Sequence, residues 1–291
     1  MATNGEEEAD TWMEFIEKLK AVDGGKKKSP KPDSYIKESA SYEVVEDYDC
    51  MLNQTNIQKN NNKYYVIQVL TRGGKYYTWT RWDRVGESNR NCLNPHKDRD
   101  AAVTDFEEKF KEKTKNTWAN RHSFEPKPEK YTLIEMANDE EEDVPVVVTS
   151  GRRVEEASLV ESTQKLENLS LDTGVNMPLG KLSKAQRAKG FEVLNEIEEE
   201  LEGNQAADKL RELSSRFYTV IPHAYARQIH LPSIADSETL QKKMDMLAVL
   251  GDIELLQSLQ KVMDITAMEI AAVRERITIL QQAPATRPGA Q

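Results

Sequence analysis

The sequence is poor in cysteine and has no long apolar stretch. Cys50 and Cys92 are the only cysteines in 291 residues, which is too few for a disulfide framework or a complete cysteine zinc site. No uninterrupted apolar run approaches the roughly 20 residues that a membrane-spanning helix requires. The opening MATNGEEEAD also lacks the apolar segment of a secretory signal. These absences predict a protein with reduced thiols that works inside the cell and away from membranes.

Signatures of catalysis are missing as well. Neither standard glycine-rich phosphate loop occurs, and there is no nucleophile turn of the Gly-x-Ser-x-Gly type. The acidic residues stand mostly in charge runs, which normally form solvated faces. The histidines are scattered without metal-ligand spacing: His96, His122, His223 and His230. The sequence therefore predicts no catalytic residue, no metal and no cofactor in this chain.

The overall charge is acidic, with 50 Asp and Glu against 40 Lys and Arg and a formal net charge of -10. Any contact with nucleic acid must therefore come from a local cluster of cations, because exposed charges act over about one Debye length. Near the start of the chain, four lysines stand close together in sequence: Lys26, Lys27, Lys28 and Lys31. This run fits a nuclear-import signal, a loose phosphate contact or a solvated linker.

Residues 42–136 have the pattern of a small α+β domain. Two runs rich in β-branched and aromatic residues, 63–70 and 75–82, flank a Gly-Gly turn and predict a β-hairpin. Apolar residues at helical spacing predict an amphipathic helix over 100–115. Residues 130–135 alternate as a closing strand. Together these elements predict an antiparallel sheet covered by one helix.

Residues 176–283 carry helical periodicity. Ser183 with Gln186 three residues later fits a capping box, and Gly203 fits the end of that helix. A second helix is marked by Leu210, Leu213 and Phe217 and closes before Pro222, and a longer one begins near Ser237. The rest of the chain is predicted to be unpacked because it is polar or charged: a tail over 1–41, an acidic linker over 137–175 and a tail over 284–291.

Cations and aromatic residues interleave in the predicted hairpin. Cations neutralise phosphates, and an aromatic ring can stack on an unpaired or terminal base. The same pattern fits an ordinary hairpin with an aromatic core on one face and solvated cations on the other, and by itself it favours that interpretation. The residues concerned are Lys63, Arg72, Lys75, Arg81, Arg84 and Arg90 with Tyr64, Tyr65, Tyr76, Tyr77, Trp79 and Trp82.

Seven stretches carry a resemblance to a known family. The first four are LNQTNIQKNNNKYYVIQVL (52–70), RWDRVGE (81–87), EKFKEKTKNTWANR (108–121) and KYTLIE (130–135). They resemble the WGR domain of the DNA-dependent poly(ADP-ribose) polymerases. The other three are MPLGKLSKAQRAKGFEVLNEIEEEL (177–201), LSSRFYTVIPH (213–223) and KKMDMLAVLGDIELLQSLQ (242–260). They resemble that family's helical regulatory domain, and the detail is most similar to its third, mono-ADP-ribosylating, member.

This resemblance implies a nuclear protein that recognises DNA strand breaks. A WGR domain binds broken or nicked double-stranded DNA and favours a 5′-phosphate. The motif tryptophan, Trp82, then stacks near the terminal nucleotide, and the motif arginine, Arg84, supports the contact between domains. Asn62, Lys63 and Tyr131 correspond to further DNA-side positions.

The resemblance also implies how a full-length enzyme works. There, DNA binding unfolds part of the helical domain and opens the NAD site of a following transferase domain. The chain here is expected to lack that catalytic domain and the opening helix of the helical domain, so its enzymatic status stays open and NAD belongs to full-length members. Asp83 also replaces the motif glycine, which is expected to add like-charge repulsion towards phosphate and to restrict the backbone.

Three functions therefore stay open from the sequence. The first is a DNA-break recognition module without its own catalysis. The second is a fragment of an active NAD-dependent protein ADP-ribosyltransferase. The third is an interaction protein that binds DNA-repair proteins but has lost DNA binding through Asp83.

Overall fold

The structure, a computed structural model, describes residues 30–87, 90–137, 182–225, 230–248 and 250. Five antiparallel strands form one sheet in the order β4-β3-β2-β1-β5. The strands are β1 (Glu43–Asn56), β2 (Asn61–Arg72), β3 (Lys75–Arg84), β4 (Arg90–His96) and β5 (Thr132–Ile134). One helix, α1 (Arg99–Thr114), packs on this sheet. The predicted α+β architecture, followed by helices, is confirmed.

The turn between β2 and β3 explains the hairpin. Arg72 pairs with Lys75, so only Gly73 and Gly74 connect the strands. Both glycines have positive φ, +56° and +75°. A two-residue connection with positive φ at both positions matches the right-handed twist of the strands, and glycine adopts it without steric cost. This turn fixes the register that places Tyr65 opposite Trp82.

Helix α1 is fixed by its cap and by its apolar face. It begins after Asp98, whose side chain accepts a hydrogen bond from the Ala101 backbone N–H at 2.8 Å. Its buried residues pack on the sheet with a tryptophan from the following 3-10 helix (Trp118–Ser123). The indole of this residue, Trp118, meets the rings of Phe106 and Phe110 edge to face, with centroids 4.9 and 5.1 Å away. The cluster contains Ala102, Phe106, Phe110, Trp118, Ile67 and Val69.

Three helices follow in the second half of the described chain: α2 (Lys184–Glu202), α3 (Ala207–Val220) and α4 (237–248). Ser183 caps α2 by accepting from the Gln186 backbone N–H at 3.1 Å, and the helix ends before Gly203. The Gln186 side chain does not complete a capping box. It accepts from the Glu135 backbone N–H and donates to the Val220 carbonyl instead, so it joins α2 to the sheet and to α3.

The face of the sheet opposite α1 packs on the end of α3. The Asn53 side chain donates to the carbonyls of Tyr218 and Thr219 at 3.0 and 2.9 Å. These carbonyls belong to the last turn of a helix, where no intrahelical donor is available. The Thr55 backbone N–H donates to the Thr219 hydroxyl at 3.0 Å. Side chains and backbone of β1 therefore complete the hydrogen bonding of α3 and hold the two halves together.

The structure corrects the predicted disordered tail at its C-terminal end. Residues 30–41, which were predicted to be unpacked, lie against the sheet, and Ile36 is 4% exposed. The Asp33 carboxylate accepts from Arg81 Nε at 2.6 Å and from the Trp79 indole N–H at 3.2 Å. We call residues 30–41 the strap. A single buried carboxylate has no periodicity, so pattern analysis could not detect this contact. Residues 1–29 lie outside the described part.

A second carboxylate lies beside the strap. Asp49 accepts a hydrogen bond from Gln68 Nε2 at 2.9 Å, and the same Nε2 also donates to the Lys31 carbonyl at 3.0 Å. Burial raises the pKa of Asp49 to about 6, although the bond from Gln68 opposes this shift. Desolvation disfavours the charged carboxylate more than one amide donor stabilises it.

Asp49 should therefore cost stability at neutral pH. Its folded-state pKa lies above the unfolded value of about 4, so stability falls as the pH rises from about 4 to about 6. Asp49→Asn is expected to raise the unfolding midpoint at pH 7 and to leave it nearly unchanged at pH 4. Thermal unfolding at both pH values tests this, with the exposed Glu43→Gln on the same strand as the control. Equal shifts at the two pH values would contradict the assignment.

Candidate nucleic-acid interface

The site begins with one row of residues across the sheet. Leu52 pairs with Tyr65, Tyr65 with Trp82, and Trp82 with Arg90, the first residue of the edge strand β4. Residues directly opposite each other in antiparallel strands share a face. Leu52 lies in the core under α1, so Tyr65 and Trp82 stand on the same face as α1, towards one end of the sheet.

Three aromatic rings lie together there, and we call them the aromatic row: Trp82, Tyr65 and Tyr131. The Tyr65 and Trp82 rings stack with centroids 5.7 Å apart and an interplanar angle of 17°. Tyr131, just before β5, meets Tyr65 edge to face at 6.1 Å. Burial, followed by the neighbouring Tyr65, raises the pKa of Tyr131 to about 12, so its hydroxyl stays protonated at neutral pH and can donate a hydrogen bond.

Lysines from distant parts of the chain lie beside this row. Lys63 Nζ lies 5.3 Å from the centre of the Tyr131 ring, and Lys113 Nζ lies 5.0 Å from that of Tyr65. Burial lowers the pKa of Lys63, and the positive charges of Lys113 and Lys130 lower it further. Clustered cations repel one another, and an anion bound among them would relieve that repulsion. The arrangement therefore favours an anionic ligand beside the rings.

All five site residues that the sequence predicted line one depression at this end of the sheet. Its lining consists of Asn61, Asn62, Lys63, Tyr64, Trp82, Asp83, Arg84, Arg90 and Tyr131. Lys63, Trp82 and Tyr131 contribute the cation and the two rings just described. The side chains of Asn62 and Arg84 are engaged elsewhere.

Asn62 and Arg84 connect the depression to the helical half. Asn62 is 1% exposed, and its amide donates to the His223 carbonyl at 2.8 Å. Arg84 Nε donates to the Tyr225 carbonyl at 3.2 Å, while its two Nη groups bond to the carbonyl and side-chain oxygens of Asn60 at 2.9 Å. Both residues therefore contact the segment that follows α3.

Asp83 does not produce the backbone restriction that its place in the motif suggested. It lies within β3 without positive φ, a conformation that any L-residue adopts. One carboxylate oxygen accepts from the Arg84 backbone N–H at 2.8 Å, and the other lies 3.4 Å from Arg90 Nε. The side chain of Asp83 is 8% exposed. Its negative charge is therefore paired within the protein.

Sequence reasoning missed Lys113 and Lys130 as part of this site. Lys113 lies in the last turn of α1, and Lys130 precedes β5, about 50 or more positions from Lys63 along the chain. Their common location follows from the sheet order, which places β5 beside β1, and from the direction of α1. Lys113 could have been found from its place one turn after the buried Phe110, at the end of the helix nearest the aromatic row.

Among the residues that the structure describes, no helix is long and apolar enough to cross a membrane. No group of three or more His, Cys, Asp or Glu in these ranges could hold a metal ion.

Two family models match the chain. The model of the WGR domain matches residues 48–125, and the model of the poly(ADP-ribose) polymerase regulatory domain matches residues 156–270. The chain belongs to the poly(ADP-ribose) polymerase family. The second match begins within the predicted linker, 137–175. The prediction that the helical domain lacks its opening helix concerns residues outside those described. The predicted helical pattern beyond residue 250 and the predicted tail over 284–291 also lie outside them.

Curated relatives agree with this assignment. The chain is 44% identical over 279 residues to protein mono-ADP-ribosyltransferase PARP3 of Homo sapiens and 45% identical over 285 residues to that of Gallus gallus. It is 38% identical over 238 residues to poly [ADP-ribose] polymerase 2 of Arabidopsis thaliana. These matches cover 88%, 88% and 74% of the chain and 52%, 52% and 37% of the relatives. The chain thus spans about half the length of the first two.

Proposed function

We propose that this chain provides the DNA strand-break recognition module of a poly(ADP-ribose) polymerase-like protein in DNA repair. One observation carries the proposal: a row of aromatic rings lies at the end of a sheet, with Lys63 and Lys113 over two of the rings and with Lys130 close enough to lower the pKa of Lys63. Rings and cations at one spot suit a ligand that has both an accessible base and a phosphate.

A strand break has both of these features. Within an intact duplex each base is covered by its neighbours, whereas the terminal pair at a break exposes one face for stacking. Trp82 is partly exposed and backed by the Tyr65 ring, so it can take up such a face. A terminal 5′-phosphate carries more negative charge than a phosphate inside the chain. Lys63, Lys113 and Lys130 would favour that dianion, and Tyr131 could donate a hydrogen bond to it.

The same site has a physical connection to the helical half. Arg84 and Asn62 line the depression and bond to the backbone carbonyls of Tyr225 and His223. A ligand that moved either side chain would also change the support of the segment after α3. We propose that break recognition reaches the regulatory helices by this route. In the whole protein it would then govern the ADP-ribose transfer that the relatives' names describe, with NAD as the proposed donor.

A protein with this function would work in the nucleus, where broken genomic DNA is found. DNA-repair proteins are its expected neighbours there. The primary partner in this proposal is broken or nicked double-stranded DNA with a 5′-phosphate.

The lysine cluster gives a test of this proposal. Lys63→Ala should weaken binding to a 5′-phosphorylated nicked duplex and should lower the slope of log affinity against log salt by about 0.9, because one phosphate contact is lost. Fluorescence anisotropy at several salt concentrations measures both quantities. Lys75→Ala is the matched control, since Lys75 is an exposed lysine at the hairpin turn. Equal effects of the two substitutions would contradict the proposed site.

A further inference from the structure

Asp83 and Arg90 form an ion pair that is not part of the WGR motif. Asp83 occupies the position of the WGR glycine in β3, and Arg90 begins β4 opposite Trp82. Asp83 Oδ2 lies 3.4 Å from Arg90 Nε, and both residues line the depression of the proposed DNA site. The carboxylate at the position of the motif glycine therefore has a partner of opposite charge in this chain.

We infer that Asp83 is a positioning residue for DNA-end binding: its carboxylate holds the Arg90 guanidinium beside the aromatic row as a phosphate ligand. This inference rests on the proposed function and adds to it a specific role for two residues. It reverses the expectation that the carboxylate at this position weakens DNA binding.

The two side chains differ in a way that suits these roles. The Asp83 side chain is 8% exposed, whereas that of Arg90 is 68% exposed. The Arg84 backbone N–H fixes the second carboxylate oxygen of Asp83 at 2.8 Å. The carboxylate is therefore a rigid anchor, and the arginine is the part that solvent or a ligand can reach.

The contact with Asp83 leaves the terminal Nη groups of Arg90 available for a phosphate ligand. A guanidinium has five N–H groups in a fixed plane, and the ion pair with Asp83 uses the Nε side. The Arg90 side chain is 68% exposed, so its terminal Nη groups are open to a ligand. These two groups can form the bidentate contact that arginine makes with phosphate oxygens.

Arg90 and Tyr131 line the same depression. Its positive charge lowers the pKa of Tyr131, opposing the larger effects of burial and of Tyr65. Arg90 therefore lies close to Tyr131 as well as to Asp83 and Trp82. Arg90 and Lys63 line the same depression, so an anion bound there would lie near both cations.

The energetic benefit of Asp83 lies in preorganisation. An exposed arginine side chain has many rotamers, and ordering it on binding costs conformational entropy. An anchor that already holds the guanidinium in place removes part of this cost before the ligand arrives. The pairing also offsets the charge of Asp83, so the carboxylate repels phosphate less than an unpaired one would.

A double-mutant cycle tests this inference. The proteins are the full chain, Asp83→Asn, Arg90→Gln and the double variant, titrated by fluorescence anisotropy with a 5′-phosphorylated nicked duplex. Asp83→Asn and Arg90→Gln should each weaken binding by about five- to tenfold, and the double variant should bind no more weakly than Arg90→Gln alone. Asp83→Glu should retain most of the affinity, because it keeps the carboxylate.

The salt dependence separates positioning from simple repulsion. Both single substitutions should lower the salt slope by up to about 0.9, because Arg90 no longer contacts a phosphate in a fixed place. If Asp83 only repelled DNA, Asp83→Asn would bind more tightly than the parent chain, and that result would overturn the inference.

A second variant protects the test against misfolding. Arg90→Lys keeps the charge but lacks the planar fork that pairs with Asp83 through Nε and offers both Nη groups to a phosphate, so it should bind clearly more weakly than the parent chain. Parent-like affinity for Arg90→Lys would overturn the inference even if Asp83→Asn did not fold. A parent chain without preference for nicked over intact duplex would overturn the proposed function, and this inference with it. Tighter binding by Asp83→Asn would overturn the inference alone.

Discussion

Asp33→Ala is expected to lower the free energy of unfolding of the sheet domain by about 3 to 5 kcal/mol. Asp33 and Arg81 are both almost fully buried, with 6% and 7% of their side chains exposed and an Nε–Oδ2 distance of 2.6 Å. Removing the carboxylate leaves the guanidinium buried without its anionic partner. The Trp79 indole N–H also loses its acceptor. Urea unfolding followed by tryptophan fluorescence measures the effect.

An exposed ion pair between the strap and β2 provides the control. Glu38 and Arg72 are 60% and 43% exposed at their side chains, with an N–O distance of 3.0 Å. Glu38→Ala should cost less than about 1 kcal/mol, because solvent screens such pairs. A chain that begins at residue 42 should lose as much stability as Asp33→Ala. Similar costs for Asp33→Ala and Glu38→Ala would contradict the assignment of the strap to the folded domain.

Trp82→Ala is expected to weaken binding to a nicked duplex by about 1 to 3 kcal/mol, from the loss of stacking on the terminal base. The indole is backed by Tyr65, so its plane is held ready for a base. Trp82→Phe keeps an aromatic face and should retain part of the affinity. Anisotropy titration measures the change, and circular dichroism confirms that each variant is folded.

The matched control uses an exposed ring away from the site. Tyr35, on the strap, is 53% exposed. Its ring centre lies 4.3 Å from the guanidinium carbon of Arg81 in β3. Tyr35→Ala should leave DNA affinity unchanged. Unchanged affinity for Trp82→Ala would remove the motif tryptophan from the site.

Local features of the fold could be predicted from the sequence because each depends on neighbouring residues. Gly73 and Gly74 determine the hairpin turn, and the turn determines the register of β2 and β3. The spacing of Phe106 and Phe110 determined which face of α1 is buried. Ser183 was recognisable as a cap from its place before an apolar run.

Contacts between distant segments could not be predicted in this way. The strap docks through Asp33, and one acidic residue among many in a polar segment gives no signal before its partner is known. Gln186 fitted a capping box, but its side chain forms hydrogen bonds with the Glu135 backbone N–H and the Val220 carbonyl instead. Both partners come from elements that are close only after the sheet and the helices have packed together.

Some residues of the candidate site could likewise be predicted from the sequence, and others could not. The resemblance supplied Trp82, Lys63 and Tyr131, which the structure places together. Lys113 joins them only because α1 ends beside Tyr65. Asp83 was expected to disturb the motif, but the structure pairs its carboxylate with Arg90. The effect of a substitution within a motif therefore depends on the side chain with which the new residue pairs.

The most direct measurement is a fluorescence-anisotropy titration of this chain with a 5′-phosphorylated nicked duplex and with an intact closed duplex of the same sequence, at two salt concentrations. Recognition of strand breaks predicts tighter binding to the nicked duplex, with an affinity that falls as the salt concentration rises. Equal affinity for the two duplexes, or no binding to either, would contradict it.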